Sequence, residues 1–339
     1  MPSESNVIAP TAIAASAADT AESRGAEPRD ADAAEPRGAE RRGAGETHVD
    51  LRRAELRGFA LALLGVAIFS FSLPATRLAV ADLDPMFVSF GRAAVAAVLG
   101  AAVLRALRAP RPHGAQWRSL AIIAFGVVVA FPLFTALALR HVDATHGAVV
   151  IALLPAWTAV FAVLRAGESP SRGFWLAAGF GLVAVVTFIA SRGLGAIGLA
   201  DLELLGATVL CALAYAEGGA LSRTLGGPQT ICWALLLALP LSLPVAIAFA
   251  PAGSVGGDAW LGFAYVSLFS MFLGFFAWYA GLSAGGVAKA GQTQLLQTPL
   301  TLALSALVLG EHVPALAIAC TAAVLLSIVG TQRARVGRR

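Results

Sequence analysis

The sequence predicts an all-α integral membrane fold of ten transmembrane helices, arranged as two inverted five-helix repeats. Three observations carry that reading: the composition, the spacing of the hydrophilic breaks, and a landmark pattern that occurs twice. Of 339 residues, 58% are hydrophobic and only 13% are charged, against about a quarter charged in ordinary soluble domains. Half of the acidic residues fall within residues 1–50, so the remainder is more apolar still. A bilayer core takes roughly 20 apolar residues per crossing, and the chain beyond the first 50 residues has room for about ten to twelve such helices.

Residues 1–50 are rich in Ala, Glu, Arg, Gly and Pro and poor in aromatic and large aliphatic side chains. Such a segment buries too little apolar surface to offset its chain entropy, and a disordered cytoplasmic tail is expected. The apolar stretch from Val7 to Ala18 follows Glu4 rather than a positive segment, which makes it a poor signal peptide. From residue 57 onward, apolar runs are broken by Arg, Gly, Pro or Asp about every 25 to 30 residues. The spans fall at 57–79, 85–104, 119–139, 145–165, 173–191, 201–222, 229–249, 259–281, 286–309 and 313–332. A basic cytoplasmic tail, 333–339, follows.

Ten spans force alternate loops to opposite sides, so the basic residues test the count. One set of loops and ends holds Arg52, Arg53, Arg57, Arg105, Arg108, Arg111, Arg118, Arg165, Arg172, Arg223, Lys289, Arg333, Arg335, Arg338 and Arg339. The other holds only Arg77, Arg140 and Arg192, together with Asp82, Asp84, Asp143, Asp201, Glu203 and Asp258. The positive-inside rule then predicts both termini in the cytoplasm. The dispersal of Lys and Arg into short hydrophilic breaks reads as topology, and no nucleic-acid partner is expected.

Ala144 to Gly173 aligns with Ala288 to Pro314. In the first stretch Gly147 precedes Leu154, Pro155 and a run ending in Gly167 and Glu168; in the second Gly291 precedes Thr298, Pro299 and a run ending in Gly310 and Glu311. The copies are five spans apart, an odd number, so they cross the membrane in opposite directions. Inverted repeats of this kind are frequent in secondary transporters.

Over residues 57–332 the sequence resembles the EamA-type family of the drug/metabolite transporter (DMT) superfamily. The likeness is carried by SLPATRLAVADLDPMFVSFGRAAVAAV in the first two spans, by ALRHVDATHGAVVIALLPAWTAVFAVLRAGESPSRGFWLAAGFGLVAVV, and by GGVAKAGQTQLLQTPLTLALSALVLGEHVPALAIACTAAVLLSIVG. It departs from the family at Phe69 and Phe71, where relatives often place Trp, and at YAEGG (215–219), which puts an acid in the sixth span. The resemblance implies two five-helix repeats, 57–191 and 201–332, and alternating access through a central cavity without ATP. It also implies export of amino acids, related metabolites or drugs. A bacterial inner-membrane location is expected.

Several residues are candidates for chemistry. Glu217 lies in the sixth span about one and a half turns before Arg223, and an ionisable group at that depth costs about 2.5 to 3.5 kcal/mol on insertion scales. It reads as a proton or substrate-cation site, or as a structural ion pair beside Arg223. Arg92 in FGRAAVAA cannot plausibly lose its proton and needs a partner or water; it ties helices together or recognises an anion. Gln294, Gln297 and Thr298 share one helix face and line the cavity or bond across helices. Pro155 and Pro299 hold equivalent places, and each bends its helix, as helix breaks or gating points. Tyr215, Trp157, Trp278 and Tyr279 are substrate contacts or packing residues, whereas Trp117, Trp175 and Trp260 fit an interfacial belt. Gly281 and Gly285 have the spacing of a close helix approach.

Enzymatic signatures are lacking: there is no HExxH, no Walker loop, no cysteine pair and no Asp in the interior of a predicted span. Cys211, Cys232 and Cys320 read as packing residues, and His141 and His146 as residues of an extracellular loop. No catalytic residue, metal or cofactor is expected. The expected partners are a small-molecule substrate, the lipid bilayer and protons as coupling ion, and assembly as a homo-oligomer is compatible with the sequence. The alternatives are a non-transporting membrane sensor or scaffold of the same fold, or an intramembrane enzyme.

Overall fold

The computed structural model describes residues 56–166, 168–191, 198–285, 292–333 and 336–338. The predicted tail at 1–50, Gly167, Lys289 and Gly291 lie outside the described residues. Among the described residues, seven helices of 18 residues or more are apolar enough to cross a bilayer, and three shorter apolar helices complete a set of ten. These are α1 (Leu56–Asp82), α2 (Pro85–Ala106), α3 (Gln116–Ala138), α4 with α5 (Ala144–Ile151 and Leu154–Ala166) and α6 (Arg172–Ala190). The second set is α7 (Leu199–Leu225), α8 (Gly227–Ala248), α9 (Gly257–Ala284), α10 (Gln297–Leu309) and α11 (Ala315–Arg333). Large side chains such as Leu176, Leu307 and Leu326 are exposed on the outer faces, as helices in lipid allow. Among the described residues the extended exception is an antiparallel pairing of Glu168–Pro170 with Val336–Arg338.

The helix ends follow from local chemistry. Asp84 caps α2 by accepting from the Met86 N–H at 2.7 Å, and Pro85 takes the first helical position, where a missing N–H costs nothing. The α7–α8 connection is a single residue, Gly226, at φ 91°, a conformation open to glycine. Gly310 at φ 65° ends α10 in the left-handed cap.

The packing obeys a two-fold pattern that relates the halves. α2 packs on α8, α6 on α11 and α4 on α10, each helix against its counterpart, while the α1–α9 contact is mirrored by α7–α3. Small residues permit the mirrored approaches: a Cβ at Gly126 of α3 would collide with the Leu210 carbonyl of α7, and one at Gly281 of α9 would lie 2.6 Å from the Ala62 nitrogen of α1. Both α3 and α9 also carry a π-helical stretch, Ala124–Ala130 and Val266–Gly274. Such widened turns leave backbone and side chains re-aimed, often at functional sites.

Prolines place the other irregularities. Pro155 stands at the second position of α5, immediately after the non-helical Ala152–Leu153 step that splits the fourth crossing. Pro299 is the third residue of α10, which follows a 3₁₀ turn at Gln292–Leu296. The ninth crossing was expected as one helix over 286–309; within the described residues it is this 3₁₀ turn and α10. Pro74 lacks the N–H that would satisfy the Ser70 carbonyl, and Thr301 Oγ1 of α10 donates to that carbonyl at 2.9 Å. Tyr265 likewise donates to the Ile68 carbonyl at 3.0 Å. The first span is therefore irregular about Phe71, and its freed acceptors are taken from the other repeat.

Candidate functional site

The irregular turns of α1, α3, α4 and α9 converge on one small cavity. Its walls come from both repeats: Phe69, Ser72, Leu73 and Thr76 of α1, Arg92 of α2, Val127, Phe131 and Thr135 of α3, and Ile151 and Leu154 beside the split. Across from them stand Tyr215 of α7, Ser270, Met271 and Phe275 of α9, and Gln297 of α10. A second, smaller chamber adjoins it, lined by Pro155, Gln294, Gln297, Thr298 and Thr301 among others. Gln297, Leu73, Ile151 and Leu154 belong to both chambers.

Three hydroxyls of the main cavity, those of Ser72, Ser270 and Thr135, are engaged within the protein. Ser72 Oγ donates to Ser270 Oγ at 2.7 Å, joining α1 to α9, and Thr135 donates to the Phe131 carbonyl at 2.7 Å. Arg92 differs. It is 3% exposed, and its Nε is buried without a hydrogen-bond partner among the described residues. Gln297 Oε1 and Gln294 Nε2 are in the same condition. A buried polar group without a partner costs on the order of 1–3 kcal/mol, more when charged; Trp278 Nε1 and the Tyr279 hydroxyl are among the others, but Arg92, Gln294 and Gln297 are the ones that line the chambers.

The candidate residues separate accordingly. Arg92, Tyr215 and Gln297 reach the main cavity, and Gln294, Gln297, Thr298 and Pro155 meet in the second chamber. Trp278 is buried behind the wall, its ring 5.7 Å from Tyr215 and 6.4 Å from Phe69. Trp157 packs on Phe161 and, with Pro299, lines neither chamber. Tyr279 is fully buried against Gly218. Glu217 does not join the cavity either. It follows Tyr215 by two residues, about 200° around the helix, and while Tyr215 faces the cavity, Glu217 accepts from Ser119 Oγ of α3 at 3.0 Å. The serines and threonines of the wall, with Phe275, were not singled out from the sequence, and Phe69 was noted there only as a departure from the family. Ser72 and Thr76, four apart in an apolar span, were the available signal.

One expectation is overturned outright. His146 is not a loop residue: it sits in the first turn of α4, 3% exposed, with Nε2 2.6 Å from Asp201 Oδ1 at the start of α7. Asp201, expected in a loop, is likewise buried, and its other oxygen accepts from the Gly198 N–H at 3.0 Å. Beside them Glu311 accepts from the Ala144 N–H at 2.9 Å, the Thr145 N–H at 2.8 Å and Thr145 Oγ1 at 2.7 Å. The Glu of the second Gly-Glu landmark thus caps the helix that opens the first copy. It supplies acceptors to N–H groups that have no partner within the helix. Among the described residues no group of three or more His, Cys, Asp or Glu gathers, and the three cysteines are free and buried.

The comparisons agree with this architecture. The profile of the EamA-like transporter family matches residues 56–190 and 198–332, one match per repeat. The chain is 47% identical over 278 residues, 81% of its length, to "Uncharacterized transporter YdeK" of Bacillus subtilis (strain 168), and covers 97% of that protein. A crystal structure with a TM-score of 0.59 at 20% identity covers 82% of this chain and 96% of its own, and shares the fold. Two repeats of five crossings, closed around one cavity and matched twice by the same profile, place the chain in the EamA-like transporter family, as a multi-pass membrane transporter.

Proposed function

We propose that the protein is a secondary transporter that exports small organic metabolites, such as amino acids or related compounds, by alternating access through the cavity at Arg92. The observation that supports this most directly is a cavity shared by both repeats, with unused donors and acceptors at the places where the helices are broken. Broken crossings about a midplane site are how inverted-repeat transporters bind a solute and then expose it to the other side. The split at Ala152–Leu153 and the turn before Pro299 would supply the moving joints. The charge bias of the loops supports a bacterial inner-membrane setting with both termini in the cytoplasm. Protons would be the coupling ion, with Glu217 as the carboxylate that takes them up: it is 3% exposed and lies between the cavity and the Arg223 end of α7.

Counterflow in proteoliposomes tests the reading. Vesicles loaded with unlabelled amino acids and small metabolites should accumulate the labelled solute. Glu217→Gln should keep exchange while losing the part driven by a pH gradient. Absence of flux for every solute would turn the reading toward a sensor that keeps the fold without transport.

A further inference from the structure

We infer that the solute of the main cavity is a net monoanion: a carboxylate held by Arg92, a neutral N–H or O–H donor directed at Gln297, and an apolar body against Phe69, Met271 and Phe275. The inference rests on the transport reading only in taking the cavity as the solute's place, and it narrows the substrate class.

The charge balance comes first. Arg92 is 3% exposed and its Nε has no partner among the described residues, yet among those residues no acidic side chain lines the cavity. Three other acids of the fold, two of them buried, are engaged elsewhere. Glu217 accepts from Ser119, Asp201 is paired with His146, and Glu311 caps α4. A guanidinium closed off from water is stable only with a compensating charge or strong acceptors, and a carboxylate matches its fork of donors in two-pronged geometry. A monoanion renders the closed cavity neutral. A zwitterion leaves the positive charge of Arg92 uncompensated, and a cation adds to it.

The second pole follows from Gln297, whose buried Oε1 lacks a donor among the described residues. The two ends of a glutamine amide are interchangeable by a flip of the side chain, so Gln297 meets either an N–H or an oxygen. A group such as a secondary amide or a hydroxyl satisfies it without bringing charge. Between the two poles the wall is largely aromatic and aliphatic. Hydroxy acids and N-acylated amino acids have this pattern of groups.

Matched solutes test it on the purified full-length protein: N-acetylated alanine, leucine and phenylalanine, each with its carboxamide and its free amino acid. Binding is read by ligand-induced thermal stabilisation in detergent, and transport by counterflow in proteoliposomes. The N-acetyl acids should bind about ten- to hundredfold tighter than their carboxamides, the factor that a charge-assisted hydrogen bond supplies, and tighter than the free amino acids. Arg92→Gln should abolish that preference, and Arg92→Lys should restore part of it. Equal binding of acid and carboxamide by the wild-type protein, no binding of any N-acetyl acid, or preference for the zwitterion overturns the inference. The wild-type comparison decides even where a variant fails to fold. Binding of the acids without counterflow leaves the monoanion site standing and removes the transport reading. Counterflow of free amino acids with no preference for the acids does the reverse.

Discussion

The two ends of α4 treat buried polar groups in opposite ways. At its opening turn, Glu311 covers the free amides of Ala144 and Thr145, and His146 Nε2 meets Asp201 Oδ1 at 2.6 Å. At its closing turn, Ile151 and Leu154 look into a cavity where Arg92 and Gln297 have unused hydrogen-bonding groups. Both regions are shielded from solvent, so burial alone does not separate scaffold from binding site. Satisfaction together with a place on the cavity wall does: completed pairs lock α4 to α7 and to the turn after α10, whereas Arg92 and Gln297 are incomplete where a solute can enter.

Breaking the completed end should have the largest effect. Asp201→Ala strands His146 and removes the acceptor of Gly198, and should lower stability by about 3–5 kcal/mol, read as an earlier unfolding transition of the full chain in detergent. The incomplete end should respond with opposite sign. Arg92→Met removes a charge whose burial has no internal compensation and should raise stability by about 1–4 kcal/mol while eliminating solute counterflow. A loss of stability there instead would show that Arg92 belongs to the scaffold, and the contrast would collapse. Glu311→Ala should cost about 1–2 kcal/mol as a lost helix cap, and hydrogen exchange should quicken at Ala144 and Thr145. The smallest effect is expected at Thr301→Val, which leaves the Ser70 carbonyl without its donor and should cost about 0.5–1.5 kcal/mol in the same unfolding assay.

Much of the architecture was legible in the sequence because hydropathy, turn residues and loop charge report directly on crossings. The span expected at 57–79 is a helix over Leu56–Asp82, and the paired prolines located both broken crossings. The site was legible in part. Arg92, Gln294, Gln297 and Thr298 declare themselves as polar groups in apolar runs, and each of them reaches a chamber. What a helix faces, though, depends on its rotation against neighbours far away in the chain. Glu217 was a cavity candidate by depth and is turned away by its spacing from Tyr215. His146 was assigned to a loop because its partner lies 55 residues on, a separation no local pattern reports. Leu236, which lies as far beyond Arg92 as Pro299 lies beyond Pro155, is apolar. The repeats therefore share their breaks without sharing their charges, and similarity between them points to the moving joints rather than to the solute.

The π-helical stretches of α3 and α9 set the phase of everything that follows them. Each accommodates one residue more than an α-helix of the same rise, and one residue corresponds to about 100° of rotation. Phe131 and Thr135 lie just past the first stretch, and Phe275 just past the second. Shortening either stretch by a single residue would let the helix relax to α geometry with its length and hydropathy almost unchanged, and would turn those side chains off the cavity wall. The solute's surroundings are thus held by a winding count, maintained separately in each half of the chain.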